Sequence, residues 1–309
     1  MLLTVTISTP KYLCVQDNNL VIKERHEDKV LDKIPLSDIW VIIIDNPQVS
    51  ITASLMGQVN DEGIGILFCG SNHMPNGLAL PIGAHSRHAE IVEHQLTISK
   101  PLRNQLWAKI VRRKIENQAR CLELCGGDQS DVKRLLGYAR DVQSNDKTQM
   151  ESAAAGAYFP KLLPYGTRRE GPMTAPLDFG YAILRSGIAQ CAVSHGWLVS
   201  CGIHHHNAEN AFNLVDDLIE PFRAAVDLLV VKENILGPLS RMNKDTLTKV
   251  TSVIVLVDGK ELPIQMAIDV YCESLRRAVE LKDSDQLLLP ILIGLEMATP
   301  GSLRTRGRL

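Results

Sequence analysis

The residue types best able to do chemistry crowd into residues 202–223, GIHHHNAENAFNLVDDLIEPFR, where three consecutive histidines precede a helical pattern bearing Asp216, Asp217 and Glu220. Imidazole and carboxylate at this density make a metal-binding composition. With oxygen donors in the majority the ion would be Mg²⁺ or Mn²⁺, whereas His204 and His206, an H-x-H pair on one face of an extended segment, would favour Zn²⁺ with Asp217. The inert alternative is a solvated helix face beside a polar loop.

At about 100° per residue, with Leu214 pointing inward, Asp217 falls at the edge of the core face, Glu220 beside it and Asp216 toward solvent. Pro221 lacks an N–H and leaves the Asp217 carbonyl without its helical donor, which predicts a kink or an early helix end beside these acids. Upstream, Glu151 opens ESAAAGAYFP. An acid there suits a helix N-terminus, and the small residues behind it permit close approach of a second helix or a ligand.

Basic residues supply the other chemistry. Residues 101–120 carry Arg103, Lys109, Arg112, Arg113, Lys114 and Arg120 against Glu116 alone. The pattern predicts a positive helix edge, fit for phosphate tracking or for simple solubility. Arg168 and Arg169, after Tyr165 and Gly166, form a loop pair suited to phosphates. Phosphate-loop and nucleophile-elbow patterns do not occur, Gly63-Ile64-Gly65 leads into a strand, and Ser194-His195 sits among small and apolar residues, which gives a serine triad little support. Metal-dependent phosphoester chemistry is what remains.

These groups need a scaffold, and two kinds are legible. Residues 12–15 and 20–23 flank the turn Asp17-Asn18-Asn19, residues 39–44 form a β-branched run suited to a strand buried on both faces, and residues 54–62 read as a short helix before a strand at 64–69. Met74-Pro75-Asn76-Gly77 turns the chain into 78–82, and the boundary is expected at 81–84. From His85 the period becomes 3.6: Leu102, Leu106, Ile110, Val111 and Ile115 mark one helix, residues 181–193 another, and Leu214, Leu218, Phe222, Ala225 and Leu229 the stripe of a third. Residues 253–257 with Asp258-Gly259-Lys260 suggest a two-stranded ribbon. The expected class is α+β: a small β domain over 1–84, a larger helical domain over 85–309, and a basic tail at 300–309 with Arg304, Arg306 and Arg308.

The 309 residues are 45% hydrophobic and 22% charged with a formal charge of −2, which excludes disorder and fibre classes. No apolar run approaches the roughly 18 residues of a membrane span, and the first ten residues lack a secretory pattern, so a cytoplasmic protein without membrane contact is expected. Seven cysteines at irregular spacing, without a C-x-x-C pair, read as reduced, mostly buried thiols.

Residues 202–223, with PLDFGYAILRS and ESAAAGAYFP before them, resemble the CRISPR-associated integrase family, "Cas one", and most of all its type II branch. The specific part is F-N-L-x-x-D-L-x-E-P-F-R with a histidine fifteen residues before its glutamate and a further glutamate upstream. The resemblance implies an N-terminal β-sandwich, an all-α catalytic domain, a homodimer, and assembly with a small ferredoxin-like partner, "Cas two". It also implies an Mg²⁺- or Mn²⁺-dependent endonuclease and integrase acting on double-stranded DNA, in which a prespacer 3′-hydroxyl attacks a phosphodiester of the repeat. Carried over by position, Glu151, His205 and Glu220 are the metal ligands, and Asp217 matches the other catalytic acid. His204 and His206 receive no role. Thr174 and Asp178 stand where the family often has Asn. On this reading Arg112, Arg113, Lys114, Arg168 and Arg169 meet DNA phosphates and Tyr165 stacks on a terminal or splayed base. Rivals in other classes are a zinc metallohydrolase using His204, His206 and Asp217, and a non-catalytic DNA-binding scaffold.

Overall fold

A computed structural model of the chain describes residues 2–81, 85–164 and 167–298. The N-terminal part comprises β1 (Leu3–Ile7), β2 (Lys11–Gln16), β3 (Asn19–Glu24), β4 (Val30–Pro35), β5 (Ile39–Ile44), β6 (Ser50–Ile51), α1 (Ala53–Asp61), β7 (Gly65–Cys69) and β8 (Pro75–Ala79). They make two four-stranded sheets, ordered β1-β5-β7-β8 and β4-β3-β2-β6. The β2–β3 turn is the one expected: Gln16 pairs with Asn19, and Asp17 and Asn18 take φ of 51° and 59°. Short polar side chains tolerate that left-handed region, and the turn matches the strand twist. Val5, Ile7, Ile42 and Ile44 of one sheet meet Leu13 and Leu20 of the other, with Leu55 and Val59 from α1, in a sandwich core.

The run at β5 is buried along its whole length. Its alternate residues serve different cores. Ile39, Ile42 and Ile44 enter the sandwich, while Trp40, Val41 and Ile43 join the helical core. A slip in register, with Leu3 opposite Ile39 and Thr4 opposite Val41, makes Trp40 the extra residue of a bulge and turns its indole toward the helices.

The helical part follows as α2 (His88–Leu96), α3 (Lys100–Leu124), α4 (Gln129–Asp141), α5 (Met150–Leu162), α6 (Thr174–Ser194), α7 (Asn213–Leu218), α8 (Arg223–Lys232), α9 (Arg241–Thr248), β9 (Val253–Val257), β10 (Lys260–Pro263), α10 (Ile264–Glu280) and β11 (Ile291–Met297). Helix α3 starts where Ser99 accepts the Leu102 N–H and Pro101 fills an early position that needs no donor. The expected third helix is three pieces. α7 ends at Leu218, a 3₁₀ turn holds Glu220, Pro221 and Phe222, and α8 resumes at Arg223. Its stripe Leu214, Leu218, Phe222, Ala225 and Leu229 is buried as expected.

The C-terminal part is not all-α. The expected ribbon forms, with Asp258 and Gly259 at φ of 49° and 72°, and β11 adds a third strand on the far side of β9. Gly294 and Glu296 interrupt the apolar pattern of β11, which hid it from periodicity.

The two parts are keyed together. Gly187 of α6 faces the Trp40 ring so closely that any β-carbon there would collide with it. A buried ion pair between Lys244 and Asp45, with His73 Nδ1 2.9 Å from the same carboxylate, adds a polar fastening. Of the expected boundary, residues 82–84 lie outside the described residues, as do Arg304, Arg306 and Arg308. Among the described residues no helix is long and apolar enough to cross a membrane.

Candidate metal centre

Four segments of the helical domain converge on Glu151, His205, Asp217 and Glu220. Helix α3 forms the floor, with Trp107 and Asn117 buried and Lys114 nearly so. Asp146 sets the start of α5: its two carboxylate oxygens accept the N–H groups of Met150 and Glu151 at 2.9 and 3.0 Å. That satisfies two donors at a helix start and fixes Glu151 in the first turn. Asn117 holds the 3₁₀ turn, because its Nδ2 donates to the Pro221 carbonyl at 2.7 Å and to Pro290 at 3.0 Å while its Oδ1 accepts the Leu292 N–H at 3.0 Å. β11 thereby braces the backbone that carries Glu220.

Asp217 is fully buried and belongs to the loop rather than to an ion. Its carboxylate accepts the N–H groups of Ile203 (2.6 Å), His204 (3.0 Å) and His205 (3.2 Å) and the Nδ1–H of His205 (2.6 Å). Four donors occupy its lone pairs. The hydrogen bond that His205 donates to Asp217 raises the pKa of His205, and it fixes the ring so that Nε2 is the nitrogen left for a ligand.

His204 lies flat on Trp107, with ring centroids 4.2 Å apart and planes at 3°. Its Nδ1 meets Asn145 at 3.3 Å. With Asp217 saturated and His204 stacked, the H-x-H zinc arrangement lacks its carboxylate.

Glu151 and Glu220 face each other across the Lys114 ammonium, whose Nζ lies 2.5 Å from Glu151 Oε1 and 2.6 Å from Glu220 Oε2. Burial would raise the pKa of Glu220, but the adjacent Arg223 and Lys114 charges hold it at about 2. Burial likewise opposes charge on Lys114, and Glu220 and Glu151 outweigh it, leaving its pKa raised. The Lys114 contact to Glu220 Oε2 has no hydrogen-bond geometry, so this buried oxygen keeps an unused lone pair. A buried carboxylate oxygen with an ion pair but no hydrogen bond, a second carboxylate on the same ammonium and an imidazole backed by Asp217 fit a hard divalent ion. Among the described residues, the donor atoms of Glu151, His205 and Glu220 do not all come within 4.8 Å of one another; the lysine fills part of that space.

The basic residues fare differently. Arg112 turns inward, its guanidinium donating to the carbonyls of Ala139 and Val142 at 3.2 Å, where it closes the end of α4. Arg113 pairs with Glu116 at 3.0 Å, Lys109 with Asp285 at 2.5 Å, and Arg120 with Glu123 at 2.5 Å. The stripe counted as a positive edge is thus largely spent on partners within the chain. Arg168 pairs with Asp178 at 2.5 Å and, like Arg223, sits 4.8 Å from the centroid of the Tyr181 ring. Arg169 is exposed. Tyr165 lies outside the described residues. Sequence reasoning missed Asp146, Asn117, Trp107 and Arg223 and set Lys114 on the wrong surface; only Arg223, three residues after Glu220, carried a local signal.

Residues 5–235 match the family described as CRISPR associated protein Cas1, and the chain belongs to that family. A CRISPR-associated endonuclease Cas1 from Neisseria meningitidis serogroup C (strain 8013) is 34% identical over 290 residues, 92% of this chain and 94% of its own. Among solved structures, a casposase bound to integration product aligns with a TM-score of 0.75 at 17% identity, covering 98% of this chain and 97% of that one. A Cas6-RT-Cas1–Cas2 complex aligns with a TM-score of 0.70 at 15% identity, covering 97% of this chain and 36% of that one.

Proposed function

We propose that this chain is an Mg²⁺- or Mn²⁺-dependent integrase and endonuclease that joins prespacer 3′-hydroxyl ends to a repeat by transesterification. The observation that carries the reading is the pair Glu151 and Glu220 around one cation-sized position, with His205 Nε2 left to ligate by its bond to Asp217. Glu151, His205 and Glu220 would hold the ion; bound there, it supplies charge stabilisation at a phosphoryl oxygen and acidifies the attacking hydroxyl. Asp217 keeps the imidazole and the 203–205 backbone in register. Arg223 neutralises Glu220 at 2.9 Å and stands over Tyr181, at the edge where a phosphate would lie. The exchange conserves one phosphodiester, so positioning dominates, and a shift of about 1 Å costs on the order of 100-fold in rate.

DNA substrate, homodimer and a Cas2-type partner belong to the same proposal. The Neisseria relative is named an endonuclease, and the two solved neighbours are a casposase with its integration product and an assembly containing Cas2. Arg113, Arg168 and Arg169 are the phosphate candidates; Arg112 and Lys114 serve the interior. Incubating the chain, with and without a Cas2-type partner, with short duplexes and a repeat-bearing plasmid in Mn²⁺ tests the reading. Strand transfer should occur, vanish in EDTA, and drop at least ~100-fold in Glu220→Ala with duplex binding kept. Equal transfer by folded Glu220→Ala ends the proposal.

A further inference from the structure

We infer that Cys191, His195 and Asp269, where the end of α6 meets α10, form a second metal site, selective for a zinc-type ion. His195 Nε2 lies 2.9 Å from Asp269 Oδ1, Cys191 Sγ lies 3.9 Å from the same oxygen, and the three donor atoms fall within 4.8 Å of one another. Around a tetrahedral zinc, N and O donors stand about 3.4 Å apart and S and O donors about 3.6 Å, from its usual bond lengths. The side chains therefore need only small adjustments.

The surroundings follow the pattern of a ligand set. Cys191 in the last turn of α6 and His195 capping that helix are four residues apart, while Asp269 comes from the neighbouring helix, so an ion would stitch the two together. The second ring nitrogen of His195 lies 3.5 Å from Glu273 Oε2. Glu273 is itself held by Arg276 at 2.5 and 3.0 Å, which gives the imidazole the carboxylate backing that orients metal-bound histidines. Asp269 is exposed and leaves the outer position to water.

Donor type separates this site from the first. Sulfur and imidazole select a borderline ion over Mg²⁺ and Mn²⁺, which prefer the two glutamates. On binding, the Cys191 thiol gives its proton to solvent and becomes the thiolate ligand. The site lies beside the sandwich, since Gln190, next to Cys191, donates to the Gly63 carbonyl, so the ion would fasten this corner rather than take part in strand transfer.

Cobalt is the probe. After chelator treatment and exchange into metal-free buffer, the full chain titrated with Co²⁺ should develop thiolate-to-cobalt charge-transfer absorption at one equivalent, and Zn²⁺, but not excess Mn²⁺, should abolish it. Cys191→Ser should lack the band, Asp269→Asn and Glu273→Gln should bind at least ~10-fold more weakly, and Glu220→Gln should leave the band unchanged. Asp269 is exposed, so its variant reports even where Cys191→Ser fails to fold. No charge-transfer band in the wild type, or a band of unaltered affinity in Asp269→Asn, overturns the inference.

Discussion

The two metal-type clusters are built on opposite plans. At Glu151, His205 and Glu220 the proposed ligands come from separate stretches of backbone, each braced by a buried polar residue, and a lysine already balances their charge. At Cys191, His195 and Asp269 the donors come from the end of one helix and the middle of another and lie within 4.8 Å of one another. On the proposed function, a centre that admits a phosphate and releases it gains from a nearby counter-charge; a fastening gains from rigidity.

Several variants break or sharpen this contrast. Asp217→Asn removes the charge and turns one of the two acceptor oxygens into a donor, so the bonds from His205 Nδ1–H and the three backbone N–H groups can no longer all form; Mn²⁺ affinity at the first centre should fall by 10–100-fold, as measured by electron paramagnetic resonance, while cobalt binding at the second stays intact. Lys114→Gln withdraws the cation that competes for the two carboxylates; Mn²⁺ should bind about tenfold more tightly, and a loss of affinity would mean that the ammonium helps to assemble the ligands. Arg112→Ala leaves two helix-end carbonyls without donors and should cost about 1–3 kcal/mol, a lower melting temperature with no change in the salt dependence of DNA binding. A flattened salt slope would return Arg112 to the DNA surface.

A further effect concerns pH in metal-free buffer. The folded pKa of Glu220 is depressed to about 2 from an ordinary 4.5, so its contribution is complete above 4.5 and disappears as pH falls through 2. That amounts to about 3 kcal/mol between these limits. Chemical denaturation from pH 5 to 2 should show a shallower loss for Glu220→Gln than for the wild type.

Much of this architecture could be read from residue order. The β2–β3 turn, the doubly buried β5 and the break at Pro221 rest on local rules that tertiary contacts do not override. What escaped is long-range. Nothing near Lys114 in the chain distinguishes it from Arg113, yet one turns into a carboxylate pair and the other stays on the flank, because the choice is made by Glu151 and Glu220, 37 and 106 residues away. Asp217 was placed at the edge of the core face, but its saturation by loop N–H groups depends on how residues 203–205 fold back. Cys191 and Asp269 escaped for the same reason, as each lies far from the other in sequence.

The double-sided strand β5 has a mechanical consequence. Separating the sandwich from the helices would bare Trp40, Val41, Ile43 and Leu67 together, at about 1.5–3 kcal/mol per large side chain, and would strand Asp45 opposite Lys244. Among the described residues, the sandwich and the helices are therefore held together as one packed body. On the proposed function, any bending needed to bring a target backbone to the glutamates falls to the nucleic acid itself.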